Sequence, residues 1–148
     1  MASRFVFGLQ PLLDERKRVE QTKQRAFALA ARARENCLRD LDRLARALRA
    51  GSQALHECAM RGSTAGARVY DAHLRYLERA VASHEQRNAE SVVALDRAAQ
   101  ELRNANRERR VVEKLKARRR QEFERAEAWR EELELQETNA RRCERMAR

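Results

Sequence analysis

The sequence predicts an all-α protein, a long antiparallel two-helix coiled-coil hairpin with a C-terminal helix overhang. Three observations carry that expectation. The chain of 148 residues holds one proline and four glycines, so little interrupts a helix. It is 38% charged and 5% aromatic, with a mean hydropathy of −0.87, and its apolar residues, mostly Ala and Leu, are too dispersed for a large globular core. Those apolar residues nevertheless recur at alternating steps of three and four, the mark of a left-handed coiled coil. Disorder, the competing reading of so much charge, carries no such rhythm.

The chain opens with Phe5, Phe7 and Leu9 alternating as a short extended lead. Pro11 then suits a first helical turn, where its missing N–H is no loss. A first helix is expected over about residues 11–59, with a seam through Leu13, Arg16, Glu20, Lys23, Phe27, Ala30, Arg34, Cys37, Leu41, Leu44 and Leu48. Its half near Leu48 is apolar, whereas Arg16, Glu20 and Lys23 form three successive charged positions.

The stretch AMRGSTAGAR, with Gly62 and Gly66 close together and Ser63 and Thr64 able to cap a helix, marks a turn at about 60–65. A second helix follows over about 65–146. Its seam runs from Tyr70 through Leu74, Leu77, Val81, His84, Asn88, Ser91, Leu95, Ala98, Leu102, Ala105, Arg109 and Val112. An extra step of three to Leu115, a stammer, precedes its continuation through Arg119, Glu122, Ala126, Trp129, Leu133, Gln136, Ala140, Cys143 and Ala147. Residues 1–148 thus read as a single coiled-coil domain.

One short connection between two long helices implies an antiparallel pair. The charged positions Arg16 to Lys23 then meet roughly Leu102 to Arg109, an end expected to be weakly held. The first helix runs out opposite about residue 114, leaving about 45 Å of helix beyond it without a partner. That overhang still carries Phe123, Trp129, Leu133 and Leu135, a stripe that implies another protein.

The chemistry of most enzymes is absent. His56, His73 and His84 lack metal-ligand spacing, the HEC triplet at 56–58 is not a zinc-protease pattern, and no Gly-rich phosphate loop occurs. No catalytic, cofactor-binding or metal site is therefore expected. Cys37, Cys58 and Cys143 are odd in number and far apart, as reduced seam residues and not a disulfide framework. The longest uncharged run, Phe5–Leu13, is nine residues against the roughly 20 of a membrane span, so no membrane insertion is expected. The opening MASRFVFGLQPLLDERK runs straight into charge without a cleavage site, which points to a cytosolic protein.

Charge is patterned. The net charge of +10 favours acidic partners. Residues 103–120 hold nine Arg or Lys against two acids, and residues 16–34 seven against one. Residues 121–137 reverse the sign, with seven acids against two arginines. The basic run lacks intervening aromatics for base stacking and is followed by no strict leucine zipper, so a protein partner is favoured over nucleic acid.

The opening FVFGLQPLLDERKRVEQ, the mid-chain YLERAVASH, the run RERRVVEKLKARR and the closing ELELQETNARR together resemble the bacterial flagellar export protein FliJ and its type III secretion counterparts. The tail departs from the family, with Gln136 and Thr138 near a frequent acidic pair, and Leu48, Gly51 and Leu55 stand where some relatives present aromatics. The resemblance implies a non-enzymatic central-stalk and coupling protein of the flagellar export apparatus. Such proteins insert into the hexameric export ATPase ring and promote its assembly and activity. They also contact the cytoplasmic domain of the export gate and handle export chaperones, which places them in the cytoplasm, peripherally associated with the inner-membrane apparatus.

Carried onto this chain, the ring contact implied by the resemblance comprises Phe5, Phe7, Leu9, Leu13, Arg16, Lys114, Leu115, Arg118, Arg119, Phe123, Trp129 and Leu133. The gate contact comprises His73, Leu77, Ala80 and His84, of which Ala80 is expected to lie off the seam. Two alternatives stand beside this reading. A generic coiled-coil adaptor would dimerise through its C-terminal overhang and leave an ATPase unstimulated. A basic nucleic-acid-binding hairpin would bind duplex tightly with a steep salt dependence.

Overall fold

The computed structural model describes residues 4–146, apart from the side chain of Glu144; the expected seam position Ala147 lies outside them. It consists of two helices packed against each other, α1 (Gln10–Met60) and α2 (Thr64–Met146), with no strand among the described residues. Residues 4–7 form the non-helical lead, and a turn at Gly8 and Leu9 leads into α1. The Leu13 N–H donates to the Leu9 carbonyl as the first helical bond (3.1 Å), so Pro11 sits inside the first turn, where no amide is needed.

The chain divides into two compact units. One is Thr22–Arg103, and the other combines Met1–Gln21 with Asn104–Arg148.

The Thr22–Arg103 unit contains the turn. Gly62 adopts φ +73°, a left-handed conformation that lacks the Cβ penalty other residues meet there. Its N–H donates to the Ala59 carbonyl (3.0 Å) and the Ser63 N–H to the Cys58 carbonyl (3.1 Å), a Schellman closure of α1. Ser63 then caps α2, its Oγ accepting from the Gly66 N–H at 3.3 Å. Beyond the turn the helices approach closely at Gly51, where a Cβ would come within 3.0 Å of Leu74 Cδ2. That approach explains why a glycine is kept inside α1 despite its cost to helix stability. Leu77, 6% exposed, is buried here, with Leu41, Leu44, Leu48 and Leu74 half-buried.

Further along this unit the seam turns polar. Arg34, Cys37, His84, Asn88 and Ser91 are all half-buried, and Ser91 Oγ donates to the Asn88 carbonyl at 2.7 Å. Arg34 Nε, His84 Nδ1 and Asn88 Oδ1 are enclosed without a hydrogen-bond partner among the described residues. Such atoms lower stability relative to an apolar layer. Lys23 ends the unit with a 2.8 Å ion pair to Glu101.

In the other unit, Leu13, Ala105 and Val112 are the buried apolar residues, at 2%, 6% and 9% exposure. The charged seam positions of α1 are paired here. Arg16 pairs with Glu108 at 2.5 Å, and Glu20 pairs with Arg109 while its carboxylate accepts from Asn106 Nδ2 at 2.7 Å. Arg109 also reaches Glu113 on its own helix at 2.5 Å. Arg16 and Glu20 thus each meet an opposite charge across the seam, in partly exposed pairs that add little net stability.

All eleven expected seam positions of α1, from Leu13 to Leu48, are buried or half-buried. The stammer in α2 is not realised. After Val112 the covered positions are Glu113, Lys116, Phe123 and Glu127, while Leu115 is 36% exposed and Arg119 and Glu122 are exposed. The seven-residue rhythm continues without the extra step, with the lead and Gln10, the first residue of α1, packed against this part of α2.

Candidate interaction surfaces

The lead folds onto α2. The Phe5 ring lies 5.6 Å from that of Phe123, tilted by 54°, within the separation at which aromatic pairs attract. The Lys116 ammonium sits 5.9 Å from the centre of the Phe7 ring and donates to Gln10 Oε1 at 2.7 Å. Leu9, Leu115 and Arg119 line a shallow groove beside Val6 and Phe7. Phe123, expected to stand on an unpartnered helix, is therefore half-buried against Phe5.

The expected ring-contact residues fall into three groups. Leu13 is buried and Arg16 is engaged by Glu108, so both act within the fold. Phe5, Phe7, Leu9, Leu115 and Phe123 gather around the lead. Lys114, Arg118, Arg119, Trp129 and Leu133 face outward, Trp129 at 64% and Leu133 at 42% exposure. Lys116 and Gln10, which hold the lead to α2, were missed by sequence reasoning. A plain four-residue step from Val112 lands on Lys116, and that was the available signal.

Charge along α2 is tied locally where its sign reverses. Arg118 reaches Glu122 at 3.1 Å, Arg119 the same carboxylate at 3.8 Å, and Arg120 reaches Glu124 at 2.8 Å. These are exposed pairs worth a few tenths of a kcal/mol each, roughly, and they leave the potential of the two bands largely available to a partner. Two groups near the charged seam have shifted protonation. The Lys23 ammonium, by hydrogen bonding and charge, holds the Glu101 carboxyl below its ordinary value, and hydrogen bonds to Glu113 and Glu20 raise Arg109.

From Ala128 to Cys143 every described residue is exposed. The expected seam positions Trp129, Leu133, Gln136, Ala140 and Cys143 are thus covered by nothing among the described residues. Cys143 is exposed, whereas Cys37 and Cys58 are half-buried and free.

The expected gate residues lie in the Thr22–Arg103 unit. Leu77 is a core residue, Ala80 and His84 are half-buried, and His73 is exposed, its ring stacked 6.5 Å from that of Tyr76. Ala80 therefore lies at the edge of the seam, not off it: a residue three positions from Leu77 shares its helix face. Tyr76, 67% exposed, is a third residue that sequence reasoning missed.

Among the described residues no group of three His, Cys, Asp or Glu could hold a metal, and no helix is long and apolar enough to cross a membrane. A family model described as Flagellar FliJ protein matches residues 5–148, and the chain belongs to that family. With that membership comes its class, a flagellar export stalk protein of a non-enzymatic family. No curated protein and no solved structure matches the chain with significance.

Proposed function

We propose that this protein is the central stalk of the export ATPase ring, entering it with the unit formed by Met1–Gln21 and Asn104–Arg148. The observation that supports the reading is the juxtaposition, in that unit, of a basic band that starts at its border (103–120), an acidic band (121–137) and an apolar stripe that nothing among the described residues covers. A stalk gripped by charge more than by grease can shift against its ring without being locked, since long-range complementarity orients partners with little close packing. The ring contact then rests on Lys114, Arg118, Arg119, Trp129 and Leu133, with Phe5, Phe7 and Phe123 holding the lead in place. Leu13 and Arg16 support it from within the fold.

The test is ATP hydrolysis by the purified export ATPase against stalk concentration. The full chain is compared with a truncation after Ala126, which keeps the Phe5–Phe123 contact. Stimulation by the full chain that the truncation loses is the expected result. Equal stimulation by both, or none by either, counts against the placement. Charge reversal at Arg118, Arg119 and Arg120 is expected to weaken ring binding and flatten its salt dependence; unchanged binding removes the electrostatic part of the reading.

The gate contact is proposed at the exposed edge of α2 around His73, with Ala80 and His84 beside it and Leu77 holding the helix in position. His73→Ala is expected to weaken binding of the gate's cytoplasmic domain with helicity intact, and undiminished binding would remove the assignment. Ala80→Glu is expected to act in the same direction but also to loosen the seam. Export chaperones are proposed as further partners of the exposed stripe, and the working place as the cytoplasmic face of the export apparatus.

A further inference from the structure

We infer that the exposed C-terminal part of α2 pairs with the same segment of a second copy, antiparallel and centred between Leu133 and Gln136. The segment is regular helix whose three-and-four spacing places Ala126, Trp129, Leu133, Gln136, Ala140 and Cys143 on one line. The residues of this line from Trp129 onward are all exposed. In an antiparallel pair each such residue faces one in the mirrored position. Trp129 then meets Ala140 of the second copy, Leu133 meets Gln136, and Ala126 meets Cys143. The largest side chain is thus set against one of the smallest, which lets the helix axes approach.

Charge selects the direction. In a parallel pair the flanking positions would put Glu132 against Glu137 and Arg125 against Arg130, like against like in both charged layers. In the antiparallel pair Arg130 of one copy faces Glu137 of the other, twice by symmetry, and Glu132 faces Asn139. The same polarity sets the acidic start of the segment, with Glu122, Glu124 and Glu127, beside the basic end, with Arg141, Arg142 and Arg145. Within one chain Arg130 reaches Glu127 at 2.6 Å and Glu137 is met by Arg141 at 3.6 Å. These are exposed pairs on the helix surface, whose exchange for the intermolecular pair costs little. The pairing hides Trp129 and Leu133, so self-association and entry of this segment into a larger partner exclude each other.

The test uses the purified full-length chain alone, so it does not depend on the ring reading. Sedimentation equilibrium from low to high micromolar concentration is expected to show monomer and dimer. Arg130→Glu and Glu137→Arg are each expected to weaken the dimer about tenfold, since two exposed pairs turn repulsive. An equimolar mixture of these two variants is expected to regain the wild-type affinity, because both 130–137 pairs between unlike chains are then of opposite charge. Circular dichroism checks that both variants remain helical. In Ala126→Cys, mild oxidation is expected to link position 126 of one chain to Cys143 of the other, located by peptide mapping. A chain that stays monomeric overturns the inference. So does a mixture that associates no better than its components, or a cross-link that joins Cys143 to Cys143.

Discussion

The Thr22–Arg103 unit and the C-terminal stretch of α2 follow the same heptad rule and reach opposite outcomes. Near the turn, Leu77 is 6% exposed and Gly51 lets the helices close to contact. At the other extreme Trp129, a larger apolar residue on an equally regular line, is 64% exposed. Helical periodicity states which face of a helix wants cover. It does not state whether the chain supplies that cover. Where α1 is present the apolar line becomes a core, and where nothing among the described residues covers it the line stays exposed.

Substitutions sharpen this contrast, and the largest effect belongs at the buried end. Leu77→Ala is expected to cost about 2–3 kcal/mol by lost burial and a residual cavity, read as a lower midpoint in thermal or urea denaturation. A loss below half that would mean the seam there closes over the gap. Next comes the turn: Gly62→Ala is expected to cost about 1 kcal/mol, because φ +73° is strained for any side chain bearing a Cβ. Phe5→Ala removes the ring against Phe123 and is expected to cost up to about 1 kcal/mol. Its sharper readout is faster proteolysis of the lead, and unchanged protection would show that Phe7 and Lys116 hold the lead without it.

The charged seam should answer to pH. Glu101 is held below its ordinary value by Lys23, so its folded form binds a proton less readily than the unfolded form. The stability it contributes is therefore present above about pH 4.5 and is lost as pH falls through the lowered folded value. Glu101→Gln should lower the unfolding midpoint slightly at pH 7, and by progressively less as pH falls below about 4.5. A deficit that does not shrink with falling pH would point to packing and not to charge. The smallest effect belongs at the exposed end, where Trp129→Ala is expected to shift stability of the monomer by no more than about 0.5 kcal/mol. Self-association or partner binding should fall instead, and a larger loss of monomer stability would mean that Trp129 packs within its own chain.

Much of this architecture was legible in the residues because it is local. The glycine at 62 and the serine after it mark the turn, since only a left-handed residue followed by a capping hydroxyl closes one helix and opens the next within so few residues. The seam of α1 was legible down to single positions. Even Arg16, Glu20 and Lys23, which break the apolar rule, occupy seam sites, and their partners Glu108, Arg109 and Glu101 lie where the antiparallel register places them. Their pairing was not spelled out, because a lone charge at a seam position does not name the opposite charge across it.

The sequence by itself therefore determined the two helices, their turn, their shared face and the banding of charge, all consequences of short-range periodicity and of which side chains tolerate a turn. Only the tertiary structure decided what covers α2 beyond Val112. The lead has no period to extrapolate, and its docking is fixed by a few contacts more than a hundred residues apart in the chain, between Phe5 and Phe123, Phe7 and Lys116, and Gln10 and Lys116. Those contacts turn Lys116 and Phe123 inward and leave Leu115 at the margin, against the stammer that apolar counting favoured. The physical reason is that a heptad is a property of one helix, whereas burial is a property of the surface that meets it.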